Sequence, residues 1–135
     1  MSDPLRVLRE TRTIAMVGAS PSPARESHGV MRYLLAHGYR VIPVRPGCEE
    51  ILGVPCVATL ADLTEPVDMV DVFRRSEFCA SHAREAVAAG AKSLWLQLGV
   101  VSHEARAIAV AAGLDYVEDA CTAALHARHV AESPH

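Results

Sequence analysis

The chain has 135 residues, 50% of them hydrophobic and 21% charged, with a formal net charge of −3. That composition describes a single globular domain over residues 1–135, large enough to bury a core, and excludes a disordered chain. The acidic balance argues against bulk binding of nucleic acid or an anionic membrane, so any anionic ligand must be held by local arginines and backbone.

In chain order, Asp3 or Ser2 caps a short first helix with Pro4 at its first position and Leu5 and Leu8 facing inward. Its other face carries Arg6, Arg9 and Arg12, which read as a solvated surface. Thr13–Val17 (TIAMV) is an apolar run of the length of a strand buried on both faces. Gly18 ends it, and a loop of small residues and two prolines, Ala19 to Pro23, follows. Ser27 stands as the N-cap of the next helix, which presents Val30, Met31, Leu34 and Leu35 on one face and closes at Gly38. Strand, small-residue turn and helix N-terminus together make an anion site, where free amides and the helix dipole converge.

Arg40–Val44 reads as the second strand, with Pro43 marking its end. Glu49–Gly53 reads as a helical turn, Pro55–Val57 as a short edge strand and Leu60–Leu63 as a further helical piece. Val67–Phe73 (VDMVDVF) is the next strand, followed at once by Arg74-Arg75 and a helix capped by Ser76 that runs to about Ala89. Ser93–Leu98 is another buried strand, with Trp95 in the core, and Ser102 caps a helix from His103 to Ala112. Leu114–Val117 is the last strand, Ala120 to about Val130 the last helix, and Ala131–His135 a fraying tail.

His37-Gly38-Tyr39, Ala89-Gly90-Ala91 and Ala112-Gly113-Leu114 each end a helix and lead into an apolar strand. Repeated helix–glycine–strand joints define βαβ units. The expected fold is α/β: a compact, doubly wound parallel sheet of about five main strands with helices on both faces, in the order roughly 3-2-1-4-5. Ligands of such sheets sit outside the carboxyl ends of the strands, where the order reverses. The residues at those ends are Gly18-Ala19-Ser20, Pro43-Val44-Arg45-Pro46, Phe73-Arg74-Arg75 and Gln97-Leu98-Gly99, with Cys121 at the start of the last helix facing the same end. The set holds arginines but no placed pair of carboxylates and no Ser-His-Asp order, so it suits holding an anion better than breaking a bond, and no catalytic residue is assigned.

Arg45 is the most informative position. A site for NAD carries Asp or Glu at the end of the second strand, whereas an arginine suits a phosphorylated ribose. Two ligands fit, NADP with a 2′-phosphate and coenzyme A with a 3′-phosphate, and the glycine pattern Gly18-x-Ser20 is not G-x-G-x-x-G. Arg74 and Arg75 point to opposite sides, with Arg74 preferred as the one that faces the ligand. Asp71 reads as a buried, hydrogen-bonded structural carboxylate. Cys48, Cys56, Cys79 and Cys121 show no C-x-x-C and read as reduced thiols. Cys121 is either a small buried hydrophobe or, near a coenzyme A thiol, a candidate for a mixed disulfide. His126 and His129, spaced i, i+3, lack a third ligand and read as surface or core residues, so no metal is expected. The absence of a membrane-length apolar run and of a signal-peptide layout makes the cytoplasm the expected compartment.

The segments VGASPSP (Val17–Pro23), VMRYLLAHGYRVIPV (Val30–Val44), PVDMVDVFRRSE (Pro66–Glu77) and AKSLWLQLGV (Ala91–Val100), with Cys121–His126 as a weaker tail, resemble the small coenzyme A-binding proteins. Their fold is that of the nucleotide domain of the succinyl-CoA synthetase alpha subunit. The resemblance runs from Thr13 to His129 and implies coenzyme A, or a coenzyme A thioester or disulfide, bound across the strand ends without catalysis. It implies that Gly18, Ala19, Ser20 and Arg25 touch the pyrophosphate, beside Ser27, and that Val44, Arg45 and Pro46 border the 3′-phosphate end. Phe73, Arg74, Gln97, Leu98 and Gly99 then line the pantetheine arm, with Cys121 near the thiol. The chain departs from the family pattern at Glu26-Ser27-His28, where Pro-Ser-Tyr is common, and at Arg45, where Asn is. The alternatives are an NADP-linked reductase, for which no substrate domain remains, and a subunit of an acyl-CoA ligase, whose phosphorylated histidine belongs to a domain this chain lacks. The residues name no protein partner.

Overall fold

The computed structural model describes residues 1–131. Seven strands and five α-helices follow one another as α1 (Pro4–Glu10), β1 (Thr13–Val17), α2 (Glu26–Ala36), β2 (Arg40–Val44), β3 (Glu50–Ile51), β4 (Val54–Pro55), β5 (Met69–Val72), α3 (Ser76–Ala88), β6 (Ser93–Leu96), α4 (His103–Ala111), β7 (Asp115–Val117) and α5 (Thr122–Leu125). A 3₁₀ turn at Leu60–Asp62 and a π-helical turn at His126–Val130 complete the elements among the described residues. Five strands form one sheet in the order β2-β1-β5-β6-β7. Every pairing in it is parallel, so the strands are joined by crossovers: through α2, α3 and α4 in three cases, and from β2 to β5 through the β3–β4 segment and the 3₁₀ turn. The order reverses between β1 and β5.

Alternation along each strand divides the core into two layers. On β1, Ile14 and Met16 pack with Val7 and Leu8 of α1 and Met31 and Leu34 of α2. Ala15 and Val17 face the other way, toward Cys79, Ala83 and Ala86 of α3 and Ala105 and Ala109 of α4. The small alanines on α3 and α4 let those helices lie close to the sheet. Trp95 of β6 is fully buried, and its indole N–H donates to the Ala120 carbonyl at 2.8 Å. The α/β, doubly wound architecture read from the residues is therefore the observed one.

Several local expectations are corrected. Glu49–Gly53 is not helical: β3 and β4 form a two-stranded antiparallel hairpin, turned by Leu52 and Gly53, both in the left-handed region at φ 51° and 79°. The expected edge strand at Pro55–Val57 thus belongs partly to this hairpin, and Val57 adds only an isolated bridge to Val44. The main sheet accordingly ends at β2, so no strand flanks β2 on the outside and the expected order 3-2-1-4-5 is replaced by β2-β1-β5-β6-β7; Pro43 is paired within the edge strand and does not end it. The helix expected to start after Ser27 starts at Glu26, with Arg25 as an N-cap that makes no side-chain capping bond. Arg75, not Ser76, is the N-cap of α3. On α1, Val7 and Leu8 are the buried residues, and Leu5 is only partly covered. The tail beyond Ala131 lies outside the described residues. No helix among the described residues is long and apolar enough to cross a membrane.

Candidate functional site

The carboxyl ends of β1 and β5 meet closely at the point of reversal. The Phe73 amide donates to the Val17 carbonyl at 2.8 Å. Gly18 follows at φ 82°, and a Cβ on it would lie 2.5 Å from the Phe73 carbonyl oxygen and 3.1 Å from Arg74 Cδ. Only glycine meets both demands. Its amide is already paired, donating to the Val44 carbonyl at 3.1 Å. Gly18 therefore shapes the floor of the site, and its N–H is not available to a ligand.

The loop beyond it supplies the amides. Ser20 Oγ accepts from the Ser22 amide at 3.1 Å, which fixes the small-residue turn. The amides of Ser20, Glu26 and Ser27 have no hydrogen-bond partner among the described residues. The first N–H groups of a helix have no intrahelical acceptor, and here no side chain caps them. They border a cleft of about 1150 Å³ lined by Gly18, Ser20, Arg25, Ser27, Val44, Arg45, Pro46, Phe73 and Arg74. Ala19 lies beneath it, 1% exposed, and is not part of the lining.

Three arginines reach this cleft from three elements: Arg25 before α2, Arg45 after β2 and Arg74 after β5. None of them has a carboxylate partner among the described residues. The Arg45 guanidinium donates to the Ala19 carbonyl at 3.3 Å, and the Arg74 guanidinium lies over the Phe78 ring, 4.4 Å from its centroid. Arg75 is absent from this cleft and pairs loosely with Glu77 at 3.8 Å. Arg74 and Arg75 thus part at the large cleft but meet again at the hollow beside it. Glu26 and Glu85 also border the cleft, so its charge is positive by one when these five groups are ionised.

A second hollow of about 440 Å³ adjoins the first. It is lined by Gln97, Leu98, Gly99 and Val100 together with Arg75 and Ser76, and it shares Glu26, Phe73 and Arg74 with the larger cleft. Leu98 stands open at its edge, 68% exposed. The Gln97 side chain is turned inward: its amide nitrogen donates to Asp71 Oδ1 at 2.6 Å and to Thr122 Oγ1 at 3.0 Å. Gln97 thus offers the hollow its backbone and surface, while its polar head serves a buried network. Asp71, fully buried, also accepts from Thr122 Oγ1 at 3.3 Å. Burial pushes its carboxyl up to about 7, against the pull of those two hydrogen bonds. Cys121 caps α5 next to Thr122 but lines neither hollow.

Two groups that sequence reasoning did not single out also line the large cleft. His82 and Glu85, one turn apart on α3, are joined by His82 Nδ1 and Glu85 Oε1 at 2.7 Å. His82 Nε2 is buried without a hydrogen-bond partner among the described residues. Their i, i+3 spacing on the helix that follows Arg74-Arg75 was the available signal. Thr59 and Leu60 form the outer wall, where Thr59 and Asp62 make a capping box. On the opposite side of the sheet, His126 Nδ1 lies 2.9 Å from the Tyr33 hydroxyl among the rings of His37 and Tyr39. His126 is a packed, buried residue, and that burial, then the neighbouring His37, lowers its pKa.

The comparisons with known proteins fall on the same segments. The uncharacterized protein YneT of Bacillus subtilis (strain 168) is 38% identical over 121 residues, 90% of each chain. A hypothetical protein from Pyrococcus horikoshii OT3, of known structure, superposes with a TM-score of 0.90 at 38% identity, covering 93% of this chain and 89% of that one. The dinucleotide forming acetyl-coenzyme A synthetase 1 of Ca. Korarchaeum cryptofilum shares the fold, with a TM-score of 0.71 at 24% identity over 84% of this chain and 27% of its own. A family model described as a CoA binding domain matches residues 12–127. With that match spanning both hollows and all three cleft arginines, the chain belongs to the CoA-binding domain family.

Proposed function

We propose that the protein binds coenzyme A, or a coenzyme A thioester, across the carboxyl ends of its strands and holds it without transforming it. The observation that carries this reading is the convergence of Arg25, Arg45 and Arg74, none paired with a carboxylate among the described residues, on the uncapped N-terminus of α2. Guanidinium groups and helix amides are the chemistry that grips phosphate. The pyrophosphate is assigned to Ser20, Arg25 and the Glu26 and Ser27 amides, and the 3′-phosphate to Arg45 beside Val44 and Pro46. The pantetheine arm is assigned to the seam at Phe73 and Arg74 and to the hollow along Gln97, Leu98 and Gly99. Two hollows joined end to end suit a long ligand with an anionic head and a thin arm. Glu26, bordering both, opposes an anion and sets a limit on affinity.

Calorimetric titration with coenzyme A and with dephospho-coenzyme A, which lacks the 3′-phosphate, tests the assignment. The expected result is saturable binding of both, with coenzyme A tighter by about tenfold, the worth of a charge-assisted contact. Absence of binding overturns the function, and equal affinities remove the role given to Arg45. NADPH belongs in the same series, because Arg45 equally suits a 2′-phosphate; tighter binding of NADPH than of coenzyme A would replace this reading with a reductase-like one. The likeness to acetyl-coenzyme A synthetase is one of fold, and the chain corresponds to 27% of that protein, so no ligase step is assigned here.

A further inference from the structure

Cys48 and Cys56 flank the β3–β4 hairpin. The Cys56 thiol donates to Cys48 Sγ across 2.9 Å. The Cys56 amide donates to the Glu49 carbonyl at 3.0 Å, and Gly47, at φ 69°, turns the chain immediately before Cys48. Both thiols are partly exposed, whereas Cys79 is buried. We propose that Cys48 and Cys56 form a redox-active pair that closes reversibly into an intramolecular disulfide, with a low-molecular-weight disulfide as the oxidant.

The fold has already brought the partners together. A disulfide needs its sulfurs at about 2.05 Å, so closure moves them by less than about 1 Å. The segment it would encircle is already held as a hairpin by the pairs Glu50–Pro55 and Ile51–Val54. The chemistry is ordinary exchange. The Cys48 thiolate attacks one sulfur of the small disulfide, forms a mixed disulfide and expels one small thiolate. The Cys56 sulfur then attacks Cys48 Sγ, breaks the mixed disulfide and expels the second. The protein dithiol loses two electrons, the small disulfide gains them, and the two protein thiol protons end on the two released thiols. Burial, then the bond to Cys48, pushes the Cys56 thiol up to about 12, which makes Cys56 the partner that holds its proton while Cys48 makes the first attack. A small thiol in excess reverses the sequence.

The position of the pair gives the bond a consequence. The Val57 amide donates to the Pro43 carbonyl at 3.0 Å, and the Arg45 amide donates to the Val57 carbonyl at 2.8 Å. A bond from Cys48 to Cys56 would therefore fasten both ends of the turn that carries Arg45 into the cleft. The disulfide itself stands on the cysteine geometry alone and does not require that the cleft take coenzyme A.

Incubation of the full chain with oxidised glutathione, followed by intact mass and a non-reducing peptide map, tests it. The expected product has lost two hydrogens, contains a peptide linking Cys48 to Cys56, and reverts with dithiothreitol. In Cys56→Ser, which lacks the resolving thiol, the expected product is a stable glutathione adduct on Cys48. The proposal is overturned if the unsubstituted chain keeps glutathione on Cys48. It is equally overturned if both thiols stay free, or if either links to Cys79 or Cys121 instead.

Discussion

The two ends of the sheet treat their charges differently. Around the amino ends Arg6 pairs with Glu10 and Asp115, Arg40 with Glu65, and Asp68 with the Arg12 and Thr13 amides and Lys92, while Arg9 and the Arg12 guanidinium stand exposed. At the carboxyl ends Arg25, Arg45 and Arg74 have no such partner among the described residues, although the chain as a whole carries an excess of acid. A fold stabilised by its own ion pairs has no need of this asymmetry. The unpaired cations of the amino end stand in solvent, whereas those of the carboxyl end share one cleft, as the proposed anionic ligand requires.

The strongest way to break the contrast is at its floor. Gly18→Ala should destabilise the protein by about 2–4 kcal/mol, because the left-handed backbone and the Phe73 carbonyl leave no room for a methyl group. Urea denaturation reads this directly. A loss below about 0.5 kcal/mol would mean that β1 and β5 do not meet as closely as described.

The next test asks whether an acid beneath the carboxyl end is the arginines' hidden partner. Asp71 accepts instead from Gln97 and Thr122, and its carboxyl is pushed from the ordinary 3.8 up to about 7 by burial. The folded state then binds that proton more tightly than the unfolded chain. Its contribution to stability is present below the ordinary value and is lost as pH rises through about 7. The slope for one proton is at most about 1.4 kcal/mol per pH unit. Denaturation midpoints between pH 4 and 8 should show this decline in the unsubstituted protein and a flatter profile in Asp71→Asn. A contribution that instead grew with pH would reveal an ionised Asp71 paired with a cation.

Smaller in stability, but sharper in function, is the removal of the cleft cations. Arg74→Ala should weaken coenzyme A binding by about tenfold or more while leaving the thermal midpoint nearly unchanged, as read by calorimetry and circular dichroism. Arg45→Ala should act in the same direction and should also abolish the preference for coenzyme A over its dephospho form. At the other end, Arg40→Ala opens an exposed pair with Glu65 and should alter neither ligand affinity nor, beyond scatter, the midpoint. Comparable losses of affinity from Arg40 and Arg74 would erase the difference between the two ends.

Much of this frame was legible in the residues, because strands buried on both faces and helices closed by glycine leave strong local patterns. Thr13–Val17 and Ser93–Leu96 are continuous apolar runs, and the βαβ rule then places Gly18, Arg45 and Arg74 at one edge. The hairpin was not legible. Its strands are two residues each, and Glu49-Glu50-Ile51-Leu52 has the composition of a helix. The outcome is set by a left-handed Leu52 and by the bonds of Val57 and Arg45 to one another and to Pro43, which no local propensity encodes. The approach of Cys48 to Cys56 was hidden for the same reason. Gln97 shows a different limit. A polar residue at the end of a strand can turn to either side, and the acid that claims its amide is 26 residues away.

Phe73 and Arg74 form the seam between the two hollows, and that seam gives the site a way to measure length. A guest that ends there occupies only the wider hollow and leaves Leu98 wetted. A guest placed as proposed would cross it beside Arg74 and reach the hollow that Leu98 borders. On the proposed placement, a truncated nucleotide and a full-length carrier would differ first in what they meet beyond Glu26, Phe73 and Arg74, the three residues common to both hollows.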